Sequence, residues 1–243
     1  MSSLLIPIAP LSKTKSRLRD CFSGDQLKDF TIAMFKDLCN KLKEVECFRH
    51  KIVYSNAKEI LELAEDNGLI GIKEELANPP KSFDEIIGDL NNIACEKYNS
   101  EQTVLTFLDL ILITAKDFYE IDTQINYHNL VVCPAIHSAG ISILARNPPN
   151  VIQSPFSDPN LPSLVALFNN ASEKGIKKVF IYDSFRAGFD IDVKQDLLVG
   201  YEYLKIFNLT HTDVYKFLKS NLKLSLKKKN ANNNRDFKIV KEK

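Results

Sequence analysis

Two aspartates, Asp190 and Asp192, stand between a predicted strand and a predicted helix. Residues 177–181 end in an apolar run typical of a buried strand, and the apolar spacing over residues 193–207 predicts a helix. In an extended segment, side chains two residues apart point to the same side. The two carboxylates could therefore share a Mg²⁺ ion with phosphate oxygens. Open α/β sheets bind their ligands at such junctions.

Asp192 has a second interpretation, because Gln195 follows it at the spacing of a helix capping box. Capping and metal binding both remain open for Asp192, and one carboxylate can do both. No capping pattern accounts for Asp190, so a functional role is favoured there. Asp109 closes the strongly apolar run 103–108, which predicts a central strand. A carboxylate at that position is costly to bury without a partner, so a metal or substrate role is favoured over a structural one.

A basic loop follows the first predicted strand, residues 4–8, and contains Lys15 and Arg17. Lysine and arginine donate hydrogen bonds to several phosphate oxygens at once, so this loop could bind a nucleotide triphosphate. It lacks the glycine-rich Walker pattern that ends in Gly-Lys-Ser. A solvated basic loop is the alternative explanation.

The remaining apolar patterns supply the elements that position these residues. Strands alternate with helices, which predicts an α/β fold with a mostly parallel central sheet flanked by helices. The further predicted strands are 50–54, 69–72, 130–133 and 141–145. Capping patterns predict helix starts at Ser23, Asn56, Ser82, Thr114 and Thr210, and residues 163–174 predict a helix that stops at Gly175.

Two loops have lengths or contents that suggest binding. Residues 134–140 form a turn-rich loop with His137, although a lone loop histidine is more often solvated than catalytic. Residues 148–162 form a long irregular loop, a length that often marks a binding lid. The loop before Ser82 could hold a base, but a plain connection is the simpler interpretation.

Composition indicates an ordinary globular protein of 243 residues with one main domain. Five scattered cysteines without a Cys-x-x-Cys pair argue for a reducing compartment and against a zinc site. Residues 4–10 are too short and proline-broken for a signal peptide, and no run approaches a membrane span. We therefore expect a cytoplasmic protein that binds no membrane.

Charge divides the chain unevenly. Residues 219–243 hold nine Lys or Arg against two acidic residues, whereas the first 218 residues hold 23 basic and 29 acidic ones. The acidic body is therefore not expected to bind nucleic acid. We predict a domain at 1–209, and at 210–243 a last helix with a basic tail whose low-complexity part, 227–234, is disordered. The tail is expected to be solvated; RNA, an acidic partner or the body's own acidic face are the alternatives.

An ordered set of short motifs resembles the 2-phospho-L-lactate guanylyltransferase family, over about residues 4–207. The motifs are Ile6 to Leu11 with Lys15 to Leu18, Asp109-Leu110, and Gly188 to Asp192 with Asp196-Leu197. The resemblance implies a nucleotide-diphospho-sugar transferase-like fold, which is Rossmann-like and of the GT-A type. It also implies transfer of GMP from GTP to a phosphorylated three-carbon acid, 2-phospho-L-lactate or phosphoenolpyruvate. That step belongs to the biosynthesis of coenzyme F-420.

The resemblance also implies roles for individual residues. Asp109, Asp190 and Asp192 would hold Mg²⁺ and act as the catalytic set. Nucleotide-binding positions would be Pro10, Leu11, Lys15, Arg17, Ser82 and Asp84, and acceptor-binding positions would be His137, Gly140 and Ser163. Whether the protein forms a homodimer stays open.

Departures from the family pattern leave two alternatives. Ala9 stands where the family usually has lysine, and Ser82-Phe83-Asp84 replaces the family's Gly-Leu-Asn in the base-side loop. Of the glycine-rich motif that the family has at residues 135–142, this chain keeps only the histidine and one glycine. The alternatives are the same fold with another nucleotide or acceptor, and a non-catalytic nucleotide-binding or scaffold protein.

Overall fold

A seven-stranded sheet organises the molecule, and the computed structural model describes residues 1–12, 14–230 and 233–241. The strands are β1 (Ser2–Pro7), β2 (His50–Ser55), β3 (Ile70–Lys73), β4 (Gln102–Thr106), β5 (Leu130–Pro134), β6 (Ile141–Arg146) and β7 (Val179–Ile181). Their order across the sheet is β3-β2-β1-β4-β6-β5-β7. Only β6 runs antiparallel to its neighbours, β4 and β5. The predicted α/β fold with a mostly parallel sheet is confirmed.

The antiparallel β6 follows from the length of the connection before it. Only residues 135–140 separate β5 from β6. A parallel pair needs a crossover of about a dozen residues or more, so this short loop permits only a hairpin.

Seven α-helices surround the sheet in the described residues: α1 (Gly24–Leu42), α2 (Lys58–Asp66), α3 (Phe83–Tyr98), α4 (Ala115–Ile125), α5 (Ser163–Glu173), α6 (Lys194–Ile206) and α7 (Asp213–Asn221). The capping boxes predicted at Ser23, Ser82 and Thr114 are all present. Two other starts were wrong. Ala57, without a side-chain cap, precedes α2 instead of Asn56, and Thr212 caps α7 instead of Thr210.

The sheet separates two hydrophobic clusters. Along β1, Leu4 and Ile6 face one cluster and Leu5 faces the other, as the two-residue period of a strand requires. A third cluster joins α1, α6 and α7 beside the sheet, with Phe30 fully buried in it. No helix among the described residues is long and apolar enough to cross a membrane.

The C-terminal segment differs from the expected disordered tail. Strands β8 (Leu224–Asn230) and β9 (Asn233–Lys241) form an antiparallel hairpin, and residues 231 and 232 of the predicted disordered stretch lie outside the described residues. Leu224, Leu226 and Ile239 pack against the cluster of α1, α6 and α7. Basic composition suggested solvation, but these spaced apolar residues give the hairpin a surface to bury.

Candidate active site

Three chain segments meet at the carboxyl ends of the central strands. The loop after β1 carries Lys15, the turn after β4 carries Asp109, and residues 184–193 carry the predicted aspartate pair. Because β1 and β4 are parallel neighbours, their carboxyl ends lie side by side. The Asp109 carbonyl accepts a hydrogen bond from the Ile191 N–H at 3.3 Å. This bond joins the third segment to the second.

Lys15 lies between the predicted metal-binding residues. Its Nζ is 2.6 Å from Asp109 Oδ2 and 3.2 Å from Asp192 Oδ1, and it donates to the Ile191 carbonyl at 2.5 Å. Burial opposes the charge, but the two carboxylates outweigh burial and raise the pKa of Lys15. Its backbone is left-handed, with φ of 47°, a conformation that costs a non-glycine residue about 1–2 kcal/mol. Sequence analysis assigned Lys15 to phosphate, whereas here its ammonium bridges carboxylates.

The aspartate pair lies on one side of its segment. Phe189 and Ile191 are fully buried in the cluster of α1, α6 and α7, so the alternating Asp190 and Asp192 face the other side. Burial, together with the charges of Asp109 and Asp192, raises the pKa of Asp190 to about 6. The three carboxylates therefore lie near enough to repel one another, which makes their shared space favourable for a cation.

Asp192 is not the cap of α6, so one of its two interpretations is wrong. Asp196 provides the cap: its Oδ2 accepts the backbone N–H groups of Asp192 at 3.0 Å and Val193 at 2.9 Å. Asp196 Oδ1 lies 2.8 Å from Nδ1 of His137. Asp196 appears in the sequence only within a family-like motif, because the sequence pattern assigns the capping box to Asp192 and Gln195, which places the helix start one residue early. Its position three residues after Val193 is the signal that could have found it.

Two cavities meet at the carboxylates. A cavity of about 250 Å³ is lined by Lys15 and Arg17, and a second of about 290 Å³ is lined by Gly140 and Ser163. The walls they share are Phe83, Phe107, Asp109 and Asp192, and Asp190 lines the second cavity. The structure thus groups the predicted phosphate-binding cations in one cavity and two predicted acceptor-binding residues in the other.

Four predicted nucleotide-binding residues lie elsewhere. Pro10 lines a separate open cavity beside β3, and Leu11 packs against the core. Ser82 caps α3, and the Asp84 carboxylate accepts the N–H groups of Phe156 at 2.8 Å and Ser157 at 2.7 Å. These bonds fix the long loop over 148–162 against α3. The structure therefore gives Ser82 and Asp84 positions that hold a loop.

His137 and Arg17 stand at the edges of the site. Arg17 Nη1 is 3.4 Å from Asp192 Oδ2, and the Arg17 side chain is 70 % exposed. Such a pair adds little stability in water, so the guanidinium remains available to an incoming anion. His137 contacts Asp196 and the ring of Phe189, at 5.1 Å between centroids, and it is not among the residues that line the second cavity.

The chemistry of the donor set suits a divalent cation, whereas the described side chains are not arranged around one. Asp109 Oδ1 is buried and has no hydrogen-bond partner among the described residues, although a buried carboxylate oxygen normally has one. Carboxylate oxygens are the protein ligands that Mg²⁺ prefers. Within the described part of the chain, no three such side chains converge on one point, and the Lys15 ammonium occupies the space between two of them. A cation would therefore have to displace Lys15 from the carboxylates.

Asp117 of α4 holds the start of the segment that carries Asp190 and Asp192. It accepts hydrogen bonds from Ser184 Oγ at 2.8 Å, Tyr182 Oη at 2.9 Å and Thr114 Oγ1 at 2.5 Å. Burial alone would raise its pKa, but the hydrogen bonds from Thr114, Ser184 and Tyr182 outweigh burial and lower it. A lowered pKa means that the ionised form stabilises the fold above the ordinary carboxyl pKa.

We expect Asp117→Asn to lower the free energy of unfolding by about 2 kcal/mol near neutral pH, since hydrogen bonds to a charged group are lost. The difference from the unmodified protein should shrink as the pH falls below about 4, because its carboxylate is then protonated too. Urea unfolding across this pH range measures both effects. Glu120→Gln is the control: Glu120 also accepts from Tyr182, at 2.7 Å, but is 45 % exposed. An equal loss in both variants would contradict the assignment.

The sheet, with paired cavities at its carboxyl edge, places the chain among the nucleotide-diphospho-sugar transferase-like α/β proteins. It is similar to a solved Desulfovibrio desulfuricans protein assigned to those transferases, with a TM-score of 0.71, 13 % identity, and coverage of 90 % of this chain and 94 % of that one. It is also similar to CMP:2-keto-3-deoxy-manno-octonic acid synthetase complexed with CTP, with a TM-score of 0.55, 12 % identity, and coverage of 86 % and 99 %. At these identities the similarity shows the fold alone.

The family is shown by the sequence. A family model described as guanylyl transferase CofC like matches residues 2–241, and the chain belongs to this family. It is 25 % identical over 194 residues to 2-phospho-L-lactate guanylyltransferase of Methanocaldococcus vulcanius, which covers 80 % of this chain and 81 % of that protein. Family membership supports an enzyme that transfers nucleotidyl groups.

Proposed function

We propose that this protein transfers GMP from GTP to a phosphorylated three-carbon acid, 2-phospho-L-lactate or phosphoenolpyruvate, and releases pyrophosphate. The observation that carries the proposal is the pair of cavities that share Asp109 and Asp192 as a common wall. A donor and an acceptor bound in adjoining cavities would meet at the carboxylates. In this proposal the reaction is a step of coenzyme F-420 biosynthesis in the cytoplasm, and the five free cysteines suit that compartment.

The first cavity would hold the triphosphate. Lys15 would leave Asp109 and Asp192 for the phosphate oxygens, and the exposed Arg17 would add a second contact. Both cations neutralise charge that builds on the departing pyrophosphate, and neutralisation together with positioning is the main requirement of such a transfer. Phe83 and Phe107 line the same cavity and offer ring faces to the nucleoside.

Mg²⁺ would be held by Asp109, Asp190 and Asp192, and when bound it would neutralise phosphate charge. Asp109 and Asp192 line both cavities and Asp190 lines the second, so a cation that they would hold could serve both substrates. Burial first, and then the charges of Asp109 and Asp192, raise the pKa of Asp190, and a bound cation would stabilise its ionised form.

The second cavity would hold the acceptor. Ser163 and Gly140 line it, and the Ser163 hydroxyl can donate a hydrogen bond to an acid or a phosphate. The Gly140 N–H is already bonded to Ser138 Oγ at 3.2 Å. A phosphate acceptor is already ionised near neutral pH, so the attacking oxygen requires no protein base. His137, which contacts Asp196, would act by holding the segment that carries Asp192.

Pyrophosphate release tests the proposal. We expect purified protein with Mg²⁺ and GTP to release pyrophosphate with 2-phospho-L-lactate or phosphoenolpyruvate, and to release none with 3-phosphoglycerate or without an acceptor. Chelation of the metal should stop the reaction. Release that does not depend on any acid, or equal release with all acids, would contradict the acceptor assignment.

A second candidate keeps the chemistry and changes the nucleotide. Both oxygens of Asp84 already accept backbone N–H groups of the long loop, so this carboxylate is not free to recognise a guanine. Thermal shifts with GTP, ATP, CTP and UTP, each with Mg²⁺, distinguish the donors. A shift with one other nucleotide would favour this candidate, and no shift with any of them would favour a non-catalytic protein.

A further inference from the structure

Arg146 is a buried cation outside the catalytic cavities. It is the last residue of β6 and only 2 % exposed. Its Nη1 donates to the Ile152 carbonyl at 3.5 Å, the limit of a hydrogen bond. Its Nε and Nη2 are buried and have no hydrogen-bond partner among the described residues. Two nitrogens of one charged side chain, with three N–H bonds between them, are therefore left unsatisfied.

A buried guanidinium with unpaired nitrogens destabilises the fold unless a bound ligand supplies the missing hydrogen-bond acceptors. An unpaired buried polar group destabilises a fold, and a charged one does so more strongly. Burial lowers the pKa of Arg146 to about 10, and Cys95 is the group that offsets this effect. No carboxylate is among the groups that stabilise its charge. The structure thus contains a guanidinium whose counter-anion is not supplied by the neighbouring side chains.

Arg146 lines a cavity of about 540 Å³ between α3 and the segment of residues 150–154. The acidic residues of this cavity are engaged. Asp84 binds the loop backbone, Glu85 accepts from Ser82 at 2.7 Å, and Asp89 pairs with Lys81 at 2.5 Å. Arg146 and Lys174 thus remain as its cations without a carboxylate within 4 Å in the described part of the chain. Three acidic and three basic lining residues give the cavity a formal charge of zero, and Arg146 is the cation among them with two nitrogens that lack a partner in the described part of the chain.

This cavity shares no lining residue with the two catalytic cavities. Arg146 pairs with Thr103 near the start of β4, whereas Asp109 follows the end of that strand. Thr103 lies three residues before the end of β4 at Thr106, so at about 3.3 Å per residue Arg146 is about 10 Å from the catalytic end of that strand. The cavity is therefore distinct from the catalytic centre.

We propose that this cavity is a second binding site, for a small oxyanion with a carboxylate or phosphate group. Nε and Nη2 form one edge of the guanidinium, and that edge binds two oxygens of a carboxylate or phosphate side by side. Both nitrogens are shielded from solvent in this structure, so an anion reaches them only when the long bond from Arg146 to the Ile152 carbonyl opens. Lys174 adds a second positive charge at the cavity.

A single tryptophan can report on this site, because the chain contains none. Gln153 is exposed and lines the cavity, so Gln153→Trp places the reporter there. We titrate this variant with inorganic phosphate and with malonate, against sodium chloride at matched ionic strength. We expect a saturable fluorescence change with a Kd on the order of 1 mM for one of the two anions. Phosphate and malonate distinguish the two oxyanion sources.

Arg146→Gln in the same background should weaken that anion about tenfold or more, since the fork is lost. Circular dichroism shows whether this variant folds. If it does not fold, Lys174→Ala replaces it, with an expected weakening of about two- to fivefold. Asp109→Asn should leave the response unchanged, which separates this site from the catalytic one. The proposal would be overturned if neither anion gave a saturable fluorescence change. It would also be overturned if Arg146→Gln, or Lys174→Ala in its place, left that change unaltered.

Discussion

Asp109→Asn is expected to reduce turnover by about a thousandfold while the protein stays folded. Removing a carboxylate that holds the proposed cation costs several kcal/mol of transition-state stabilisation, and each 1.4 kcal/mol is about tenfold in rate. Asparagine has the same shape, and its carbonyl can still accept from Lys15, which lies 2.6 Å from the present carboxylate. Lys15 also keeps its contacts with Asp192 and the Ile191 carbonyl. The fold should therefore tolerate the change.

Pyrophosphate release at saturating Mg²⁺ measures the loss of turnover, and thermal unfolding by circular dichroism measures the fold. Asp66→Asn is the matched control, because Asp66 is exposed at the end of α2 and lines neither catalytic cavity. Its turnover should remain within about twofold of the unmodified protein. Full activity of Asp109→Asn would remove Asp109 from the proposed metal site.

Much of this site could be predicted from the types of residue at strand ends. Asp109, Asp190 and Asp192 follow strands in the sequence, and parallel strands bring such ends to one edge of the sheet. The alternation of buried Phe189 and Ile191 with two acids also gave the direction of the carboxylates. Periodicity and position in the sheet are local properties, so the sequence records them directly.

Other features depend on partners that are distant in sequence. Lys15 bonds to carboxylates 94 and 177 residues away, and no local pattern distinguishes that arrangement from phosphate binding. Asp84 is a second example, because its hydrogen-bond partners lie in the loop after residue 148. Arg146 follows the predicted strand 141–145 and no local pattern marks it as buried, because its contact with Ile152 depends on the fold of the next loop.

The C-terminal hairpin shows the limit of composition. Lysine-rich residues suggested a solvated tail, but the spacing of Leu224 and Leu226 on β8 decided the outcome. When an apolar surface lies nearby, the alternation of apolar and polar residues along a strand decides whether that strand packs on it, more than the mean charge of the segment does. That surface is built by α1, α6 and α7, which composition could not place together.

Gly188→Ala is expected to impair both stability and activity, because Gly188 holds the aspartate segment against β5. A Cβ at this position would lie 2.6 Å from the Pro134 carbonyl oxygen and 3.1 Å from that of Ser184, and backbone atoms cannot yield as a flexible side chain can. The Gly188 carbonyl also accepts the Ile136 N–H at 2.9 Å. The methyl group would push the segment, and Asp190 with it, away from Asp109.

We expect a loss of about 1–3 kcal/mol in the free energy of unfolding and about a hundredfold in kcat/KM, the usual results of overpacking and of an ångström of misplacement. Urea unfolding and pyrophosphate release measure the two effects. Gly24→Ala is the control, since nothing lies within 4 Å of a Cβ at the start of α1. That variant should stay within about 0.5 kcal/mol and keep its activity. If Gly188→Ala lost stability but kept full kcat/KM, the aspartate segment would not need its position on β5 for catalysis, and the carboxylates would lose their assigned role.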